Sequence, residues 1–400
     1  MVILMNETEL IPKELTNQDN TQKILMSNEE IWFVKHFIKK YNPKKIVEIG
    51  FFAGGNTVNL LQWKDKDAQL FSVDIATHLH TDITKKSGWM VDKFGKSDDN
   101  FKIYRGYDYL DLYKEIGDDI DCIIIDTVHT MPGEFLTFIA ALPQLKDGCI
   151  VILHDIHLNM ISFAIDKYTP YNIGAYCTGL LFGTVSSTKK WSLKTKCISN
   201  IGAFIIDDTT RENIKDVFHT LTTTWHSYPV ELDLDGYSKY IDNHYPKECS
   251  HIFNLCLKLQ SKYINRDAKI AQNCRIDILN ANNKNSTVEI LEVSDNVDTS
   301  FPNWFESNIG KGVMIESELN SFNLVLKCVE EGSLRIALKG PDVRNHLGNR
   351  IPSYVTYNSL KVNREDLFKK KIQVWHDMPY IFEKKVKNGE IIHISVNWSN

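Results

Sequence analysis

Between residues 28 and 210, apolar runs of strand length alternate with segments whose apolar residues recur at helical spacing. The first helical segment, SNEEIWFVKHFIKKY, puts Ile31, Val34 and Ile38 on one face. Ser27, with Glu30 three residues later, has the spacing of a capping box, and Asn42-Pro43 predicts the stop. KKIVEIG then predicts a buried strand, followed by a glycine turn and a helix over NTVNLLQW. QLFSVD, FKIYRG, DCIIID and CIVILHD predict four further strands, with a helix around GEFLTFIAALPQL before the last. Strands separated by helices in this way predict an α/β fold, a doubly wound and mostly parallel sheet covered on both faces. LLFGTVSS and IGAFIIDD predict a closing antiparallel pair.

The flanks differ. Residues 1–25 are polar and irregular, an N-terminal extension to a domain spanning 26–210. Residues 211–285 predict a helical cover and then a linker, because NCRIDILNANNKNSTVEI is rich in Asn and shows no periodicity. From 286 to 400 short β-rich segments recur (KGVMIES, FNLVLKCV, SLRIALKG, SYVTYNSLKV, KIQVWHD, IIHISVNW) with turn signals such as Glu331-Gly332 and Asn388-Gly389 between them. That spacing predicts a C-terminal all-β sandwich domain.

Composition narrows the setting. Four hundred residues exceed one ordinary core, so two domains are expected. A hydrophobic share of 43% and a charged share of 24% are those of a soluble globular protein. With 46 basic and 51 acidic side chains, the net charge of -5 lacks the basic excess of a nucleic-acid binder. No run approaches the ~18 apolar residues of a membrane span, and MVILMNETELIPKEL is not a signal peptide. Eight cysteines without C-x-x-C spacing read as reduced thiols and a cytoplasmic location.

The first candidate chemistry is a nucleoside pocket. In Ile46 to Thr57 a buried strand ends at Gly50 and a helix opens near Gly55. Glycines suit a sharp turn that lets a ligand approach the backbone, and the helix N-terminus offers free N–H groups. The pattern is G-x-x-x-G-G, not the dinucleotide G-x-G-x-x-G. Asp74 ends the second strand, where a carboxylate can accept ribose hydroxyls. Glu48 precedes the turn inside the first strand. Together with Phe51, Gly54 and Asn56, these segments resemble motif I and the following acidic motif of class I S-adenosylmethionine (SAM)-dependent methyltransferases, with a Rossmann-like fold. By that resemblance Tyr107 and Asp108, after the third strand, would meet the adenine end; a plain surface loop is the alternative.

The second is a cluster of acids and imidazoles. Asp126 and Asp155 follow two apolar strands, and polar residues there are costly unless they serve something. Were those strands neighbours, their backbones would lie about 5 Å apart, facing the crevice beyond the sheet's carboxyl edge. Two carboxylates and an imidazole can hold a divalent metal that lowers a hydroxyl's pKa. Asp126-x-x-His129 followed by His154-Asp155 resembles the metal-dependent sugar O-methyltransferases, the macrocin, mycinamicin and cephalosporin hydroxylase-like group, over roughly residues 28–210. The resemblance implies Asp126 and Asp155 as ligands of Mg or Mn, with His129 and Asp126 catalytic and His129 the general base; His154 is a further candidate ligand, or a contact to substrate. Those enzymes carry Glu-Asp where this chain has His154-Asp155. The imidazole weakens Mg²⁺ and favours softer ions, and the sequence leaves open a site without metal. His129 as a helix cap is a further alternative.

Residues 81–89 form a polar insertion, a lid or a solvated loop. Trp304, Phe305, Trp375, Tyr380 and Trp398 allow sugar stacking, but core packing is the commoner use of such rings in a sandwich. Pro341-Asp342-Val343-Arg344, Asn349 to Pro352 and Val374 to Asp377 resemble modules of bacterial capsule and surface-polysaccharide enzymes. The expectation is a sugar O-methyltransferase of surface-glycan synthesis, taking a sugar, nucleotide-sugar or glycan, with a homo-oligomer admitted. The alternatives are a nucleotide-dependent transferase or ligase in the same pocket, and a non-catalytic glycan-binding or assembly subunit.

Overall fold

The computed structural model describes residues 2–5, 26–79, 85–95, 98–160, 175–193, 200–225, 233–267, 274–280, 288–293, 297–298, 312–317, 321–329, 331–339, 343–344, 350–351, 354–367, 372–375 and 380–399. Of the N-terminal extension only Val2–Met5 is among them. The chain divides into two compact units, Met1–Ile75 with Ser87–Ile264, and Ala76–Lys86 with Asn265–Asn400.

The first unit is built on β1 (Val2–Met5), α1 (Asn28–Tyr41), β2 (Lys45–Ile49), α2 (Gly55–Trp63), β3 (Gln69–Asp74), α3 (Trp89–Phe94), β4 (Phe101–Arg105), α4 (Tyr109–Ile116), β5 (Ile120–Ile125), α5 (Gly133–Ala141) and β6 (Leu145–His154), then α6 (Cys177–Thr184), β7 (Lys190–Leu193) and β8 (Ile201–Ile205). The sheet runs β1-β7-β8-β6-β5-β2-β3-β4. Strands β4, β3, β2, β5 and β6 are parallel neighbours, and β8 is antiparallel to both β6 and β7. The fold is therefore Rossmann-like, doubly wound and mostly parallel. The chain steps outward from β2 to β4, then returns to β5 on the other side of β2. The switch point lies between β2 and β5, where the carboxyl edge opens a crevice.

Alternating side chains explain why both faces are covered. Val47, Ile49, Ile123, Ile125, Val151 and Leu153 pack with Phe135 and Phe138 of α5. Ile46, Leu70, Ile124, Ile150 and Ile152 pack with Phe33 and Phe37 of α1 and Leu60 and Trp63 of α2. Helix α1 starts at a complete capping box, with Ser27 N–H donating to Glu30 Oε2 at 2.6 Å and Glu30 N–H to Ser27 Oγ at 3.3 Å. It ends on left-handed Asn42.

Three expectations change here. Val2–Met5, read as part of an irregular extension, is a strand of the sheet, parallel to β7. The stretch LLFGT lies in α6, and the partner of β8 is KWSL; a short apolar run fits helix and strand alike. Gly179 lets α6 lie close against the chain that follows β6, since a Cβ there would sit 2.2 Å from the Ile156 carbonyl oxygen. Helices α7 (Asp208–Glu212), α8 (Ile214–Thr220), α9 (Leu234–His244) and α10 (Lys247–Asp267) do cover the core, with Phe218, Trp225, Tyr237 and Phe253 joining it. The segment read as a linker is instead partly strand, β9 (Cys274–Asn280). Its alternating Ile276 and Ile278 pair with Ile315 and Val313 on one side, and with Leu338 and Ile336 on the other.

The second unit continues with β10 (Val288–Val293), β11 (Val297–Asp298), β12 (Gly312–Ser317), β13 (Ser321–Cys328), β14 (Gly332–Lys339), β15 (Val343–Arg344), β16 (Arg350–Ile351), β17 (Tyr354–Val362), β18 (Glu365–Asp366), β19 (Ile372–Trp375), β20 (Tyr380–Val386) and β21 (Ile391–Ser399). One sheet runs β10-β13-β21-β17-β18, with β19 also on β17, and another β11-β12-β9-β14-β20. Phe322, Leu326, Leu360 and Ile394 of the first share one core with Leu334, Ile336 and Leu338 of the second, the mark of a sandwich. Trp398 is buried in that core, so stacking on a sugar is excluded for it. Trp304 and Phe305 lie outside the described residues, as do the side chains of Trp375 and Tyr380. So do His376, Asp377 and most of 341–352, of which β15 and β16 form a ribbon.

Of the insertion, 81–84 lies outside the described residues; the flanking 76–86 counts with the second unit, and Ser87 to Trp89 return to the first. Among the described residues no helix is long and apolar enough to cross a membrane.

Candidate active site

The carboxyl ends of β2, β3, β5 and β6 bring together most of the residues singled out from sequence. At the end of β2 the chain turns through Gly50, at φ +83°. A Cβ at that position would sit 1.8 Å from the Asp126 carbonyl oxygen on β5's extension, so the crossing of these two strand ends requires glycine. Gly54, at φ +87°, precedes α2; its missing Cβ is answered by Gly88 and Val91 of the protein itself. Gly55 opens the helix and is buried.

Both acids of the turn, Glu48 and Asp74, make hydrogen bonds within the protein. Glu48 is buried and accepts from Thr57 Oγ1 at 2.6 Å, Ser72 Oγ at 2.7 Å and Asn56 Nδ2 at 2.9 Å. Burial pushes its carboxyl up to about 7, against those three hydrogen bonds. Asp74 Oδ2 accepts the backbone N–H groups of Phe51 and Phe52 at 3.1 and 2.9 Å, and so sets the shape of the loop. Phe51 itself is buried. Asp74's carbonyl takes the N–H of Tyr107 at 3.2 Å, which carries Tyr107, an exposed ring, to the same edge. Asp108 is the N-cap of α4 and accepts from the Tyr237 hydroxyl of α9 at 2.9 Å. Burial pushes it up to about 6, with Tyr237 opposing. Tyr237 was not singled out from sequence; a lone Tyr in a helical cover carries no signal.

One strand over lies the acid–imidazole cluster. Ile125 pairs with Leu153, so β5 and β6 are neighbours as expected. His154 follows Leu153 as Asp126 follows Ile125, and His154 Nδ1 lies 3.1 Å from Asp126 Oδ1. Asp155 is one residue further. His129 Nε2 meets Asp155 Oδ2 at 3.0 Å and Asp126 Oδ1 at 3.6 Å. Donor atoms of Asp126, His154 and Asp155 all lie within 4.8 Å of one another. His129 and Asp155 are both left-handed, at φ 58° and 63°, a conformation costly for non-glycine residues and frequent at functional sites.

Three partners escaped the sequence. Glu134, fully buried in the first turn of α5, takes the backbone N–H of His129 at 2.7 Å and faces its Nδ1 at 3.1 Å. An acid opening the otherwise apolar GEFLTFIAA was its available signal. Asn200 donates from Nδ2 to Asp155 Oδ1 and accepts the His157 N–H. Glu30 faces His154 Nε2 at 3.6 Å. The capping-box reading used Glu30 up and hid its second contact.

Charge in the cluster is shared. Burial pushes His129 down, but Glu134, Asp155 and Asp126 outweigh it and lift the imidazole to about 9. Burial likewise opposes protonation of His154, and Asp126 and Asp155 overcome it, holding the ring well above its ordinary range. Burial raises Asp126, yet the two imidazoles win and hold its carboxyl low. Asp155 goes the other way, raised by burial.

This glycine turn and cluster fall within one recognised stretch. Residues 47–156 match the family model of a methyltransferase domain. The methyltransferase match spans about a quarter of the chain, from β2 to the residue after Asp155. No curated protein matches the chain in sequence. Among solved structures, the O-methyltransferase TomG of Streptomyces achromogenes, involved in tomaymycin synthesis and solved with SAM, is 14% identical, with a TM-score of 0.37, over 51% of this chain and 93% of its own. An O-methyltransferase of Bacillus cereus, in complex with SAH, is 19% identical, with a TM-score of 0.37, over 49% and 93%. A SAH-bound methyltransferase of Podospora anserina is 14% identical, with a TM-score of 0.39, over 50% and 89%.

Proposed function

We propose that the protein is a SAM-dependent O-methyltransferase acting on a sugar hydroxyl. The observation that carries the reading is the placement of the methyltransferase domain's glycine turn against the Asp126–His129–His154–Asp155 cluster at one switch point. A methyl donor bound along the turn would lie beside groups able to take a proton. Gly50, Phe51, Gly54 and Gly55 would form the turn under the donor, with Glu48 and Asn56 bracing it from within. Asp74 is proposed for the ribose, and Tyr107 with Asp108 for the adenine end.

In the reaction the acceptor oxygen attacks the sulfonium methyl, the C–O bond forms as the C–S bond breaks, and S-adenosylhomocysteine (SAH) leaves. The hydroxyl proton goes to Nε2 of His129 in its neutral form, which for a ring lifted to about 9 requires the prior loss of its own proton. Glu134 fixes the other ring nitrogen, so Nε2 is the atom that faces the reaction. Nε2 now meets Asp155; the acceptor hydroxyl must enter between the two for His129 to serve as base.

The cluster also fits a divalent metal. Four carboxylates (Glu30, Asp126, Glu134, Asp155) surround two imidazoles, so the group is net negative even with both rings protonated. Asp126, His154 and Asp155 would hold the ion, which when bound lowers the hydroxyl's pKa and orients it. The sugar assignment and a role in capsule or surface-polysaccharide synthesis are supported by the sequence resemblance of the cluster and of the C-terminal segments, and a cytoplasmic setting by the free thiols.

The test is incubation with labelled SAM and a panel of nucleotide-linked sugars, with and without chelator, beside calorimetric titration with SAH and with ATP. Label on a sugar and SAH binding are expected. ATP binding without SAH binding would move the pocket to nucleotide-dependent transfer, and no transfer to any sugar would remove the acceptor class.

A further inference from the structure

His154 has two nitrogens in unlike surroundings. Nδ1 points into the triad, 3.1 Å from Asp126 Oδ1. Nε2 points away from it, is buried and makes no hydrogen bond, and faces Glu30 Oε2 at 3.6 Å. Glu30 lies on α1, outside the stretch that matches the methyltransferase model. Its carboxylate is fixed independently of His154, because the same Oε2 takes the Ser27 N–H at 2.6 Å. Both side chains are nearly inaccessible, at 8% and 2% exposure for the residues.

A carboxylate behind the far nitrogen of a ligating histidine keeps the proton on that nitrogen. The lone pair on the near nitrogen is then aimed at the ion and made more basic. An imidazole beside two carboxylates is a mixed nitrogen–oxygen donor set. Magnesium prefers oxygen donors and retains its water, whereas dications of the later first transition series gain from nitrogen.

We propose that Glu30 is a positioning residue that makes His154 a nitrogen ligand, and that the centre thereby selects a transition-metal dication over magnesium. This rests on the proposed metal centre and is independent of the identity of the methyl acceptor.

The test uses the full chain stripped with chelator and titrated with Co²⁺, read by its visible absorption and by calorimetry, with Mg²⁺ as competitor. One Co²⁺ per chain is expected, with Mg²⁺ competing only at roughly a hundredfold or greater excess. Glu30→Gln preserves the cap, since Gln serves at that position, and should weaken Co²⁺ about 10–100-fold. Ser27→Ala, which loosens the cap and spares the carboxylate, should leave Co²⁺ affinity within about twofold. His154→Glu should narrow the gap between the two metals. No Co²⁺ binding, parity of Mg²⁺ with Co²⁺, or unchanged Co²⁺ affinity in Glu30→Gln overturns the proposal. SAH titration of the same samples separates the two readings. SAH binding without Co²⁺ binding sinks this proposal alone. The expected Co²⁺ behaviour without SAH binding supports it and sinks the methyltransferase reading.

Discussion

At Gly50 and Gly148 the backbone is left-handed to the same degree, φ +83° and +84°, but the surroundings differ. A Cβ on Gly50 would overlap the Asp126 carbonyl, whereas one on Gly148 would meet nothing within 4 Å. Gly148→Ala should therefore cost only conformational strain, about 1–3 kcal/mol. Gly50→Ala must also push β5's end away from β2, so its cost should exceed that of Gly148→Ala by at least ~1 kcal/mol and SAH binding should be lost. Equal shifts in the denaturant midpoint would show that the contact is unimportant. The cluster gives a second comparison. His129 is proposed to take the proton, so His129→Gln should lower methyl transfer by roughly 10²–10⁴-fold while SAH affinity stays within about twofold. Unchanged turnover would remove His129 from the reaction.

Most elements of the α/β unit could be read from sequence because their apolar periods are long and clean. KIVEI, QLFSVD and IDCIII are buried along almost their whole lengths, and α1 carries a full cap at one end and Asn42 at the other. Where the period was short, burial decided what pattern could not. LLFGT is apolar enough for either state and lies in helix α6, whose Leu181 is buried in the core. Asn residues around RIDIL masked a strand whose pairing is entirely long-range. Within the site, residues following strands could be picked out, since an acid or imidazole there interrupts an apolar run. Glu30 and Asn200 could not, because their partners in the cluster are distant in sequence, and Glu134, only five residues after His129, reads as a first-turn helix acid. The insertion after β3 belongs to this scale too. His78 is buried in the second unit, near Glu383 at 3.7 Å; burial, and then Arg335, press its imidazole down to about 4 from an ordinary 6.5. The unfolded chain therefore binds this proton more readily than the folded one. Stability present at pH 7 should fall as pH drops from about 6.5 towards 4, by on the order of 2 kcal/mol after allowance for solvent screening. Comparing denaturant midpoints at pH 7 and pH 4.5, His78→Gln should lose less than the parent. An equal loss would show that His78 does not titrate across that window.

Three hydrophobic clusters, one filling the sandwich and one on each face of the parallel sheet, give each unit its own source of stability. The proposed donor site lies wholly on the first, at the ends of β2 to β6, whereas the histidine that responds to acid lies in the second. SAH should accordingly act on the unfolding of the first unit, and protonation of His78 on that of the second. A ligand that binds only the folded state stabilises it by about 2.7 kcal/mol at a hundredfold excess over its Kd. Scanning calorimetry should resolve two transitions, with SAH raising only that of the α/β unit. Acidification through the His78 window should lower that of the sandwich. The chain passes between the units at 75/76, 86/87 and 264/265, and the first of these crossings lies close to Asp74 in sequence. If one transition moves as a whole with both SAH and acid, the units unfold as a single cooperative block, and the separation of cores does not govern stability.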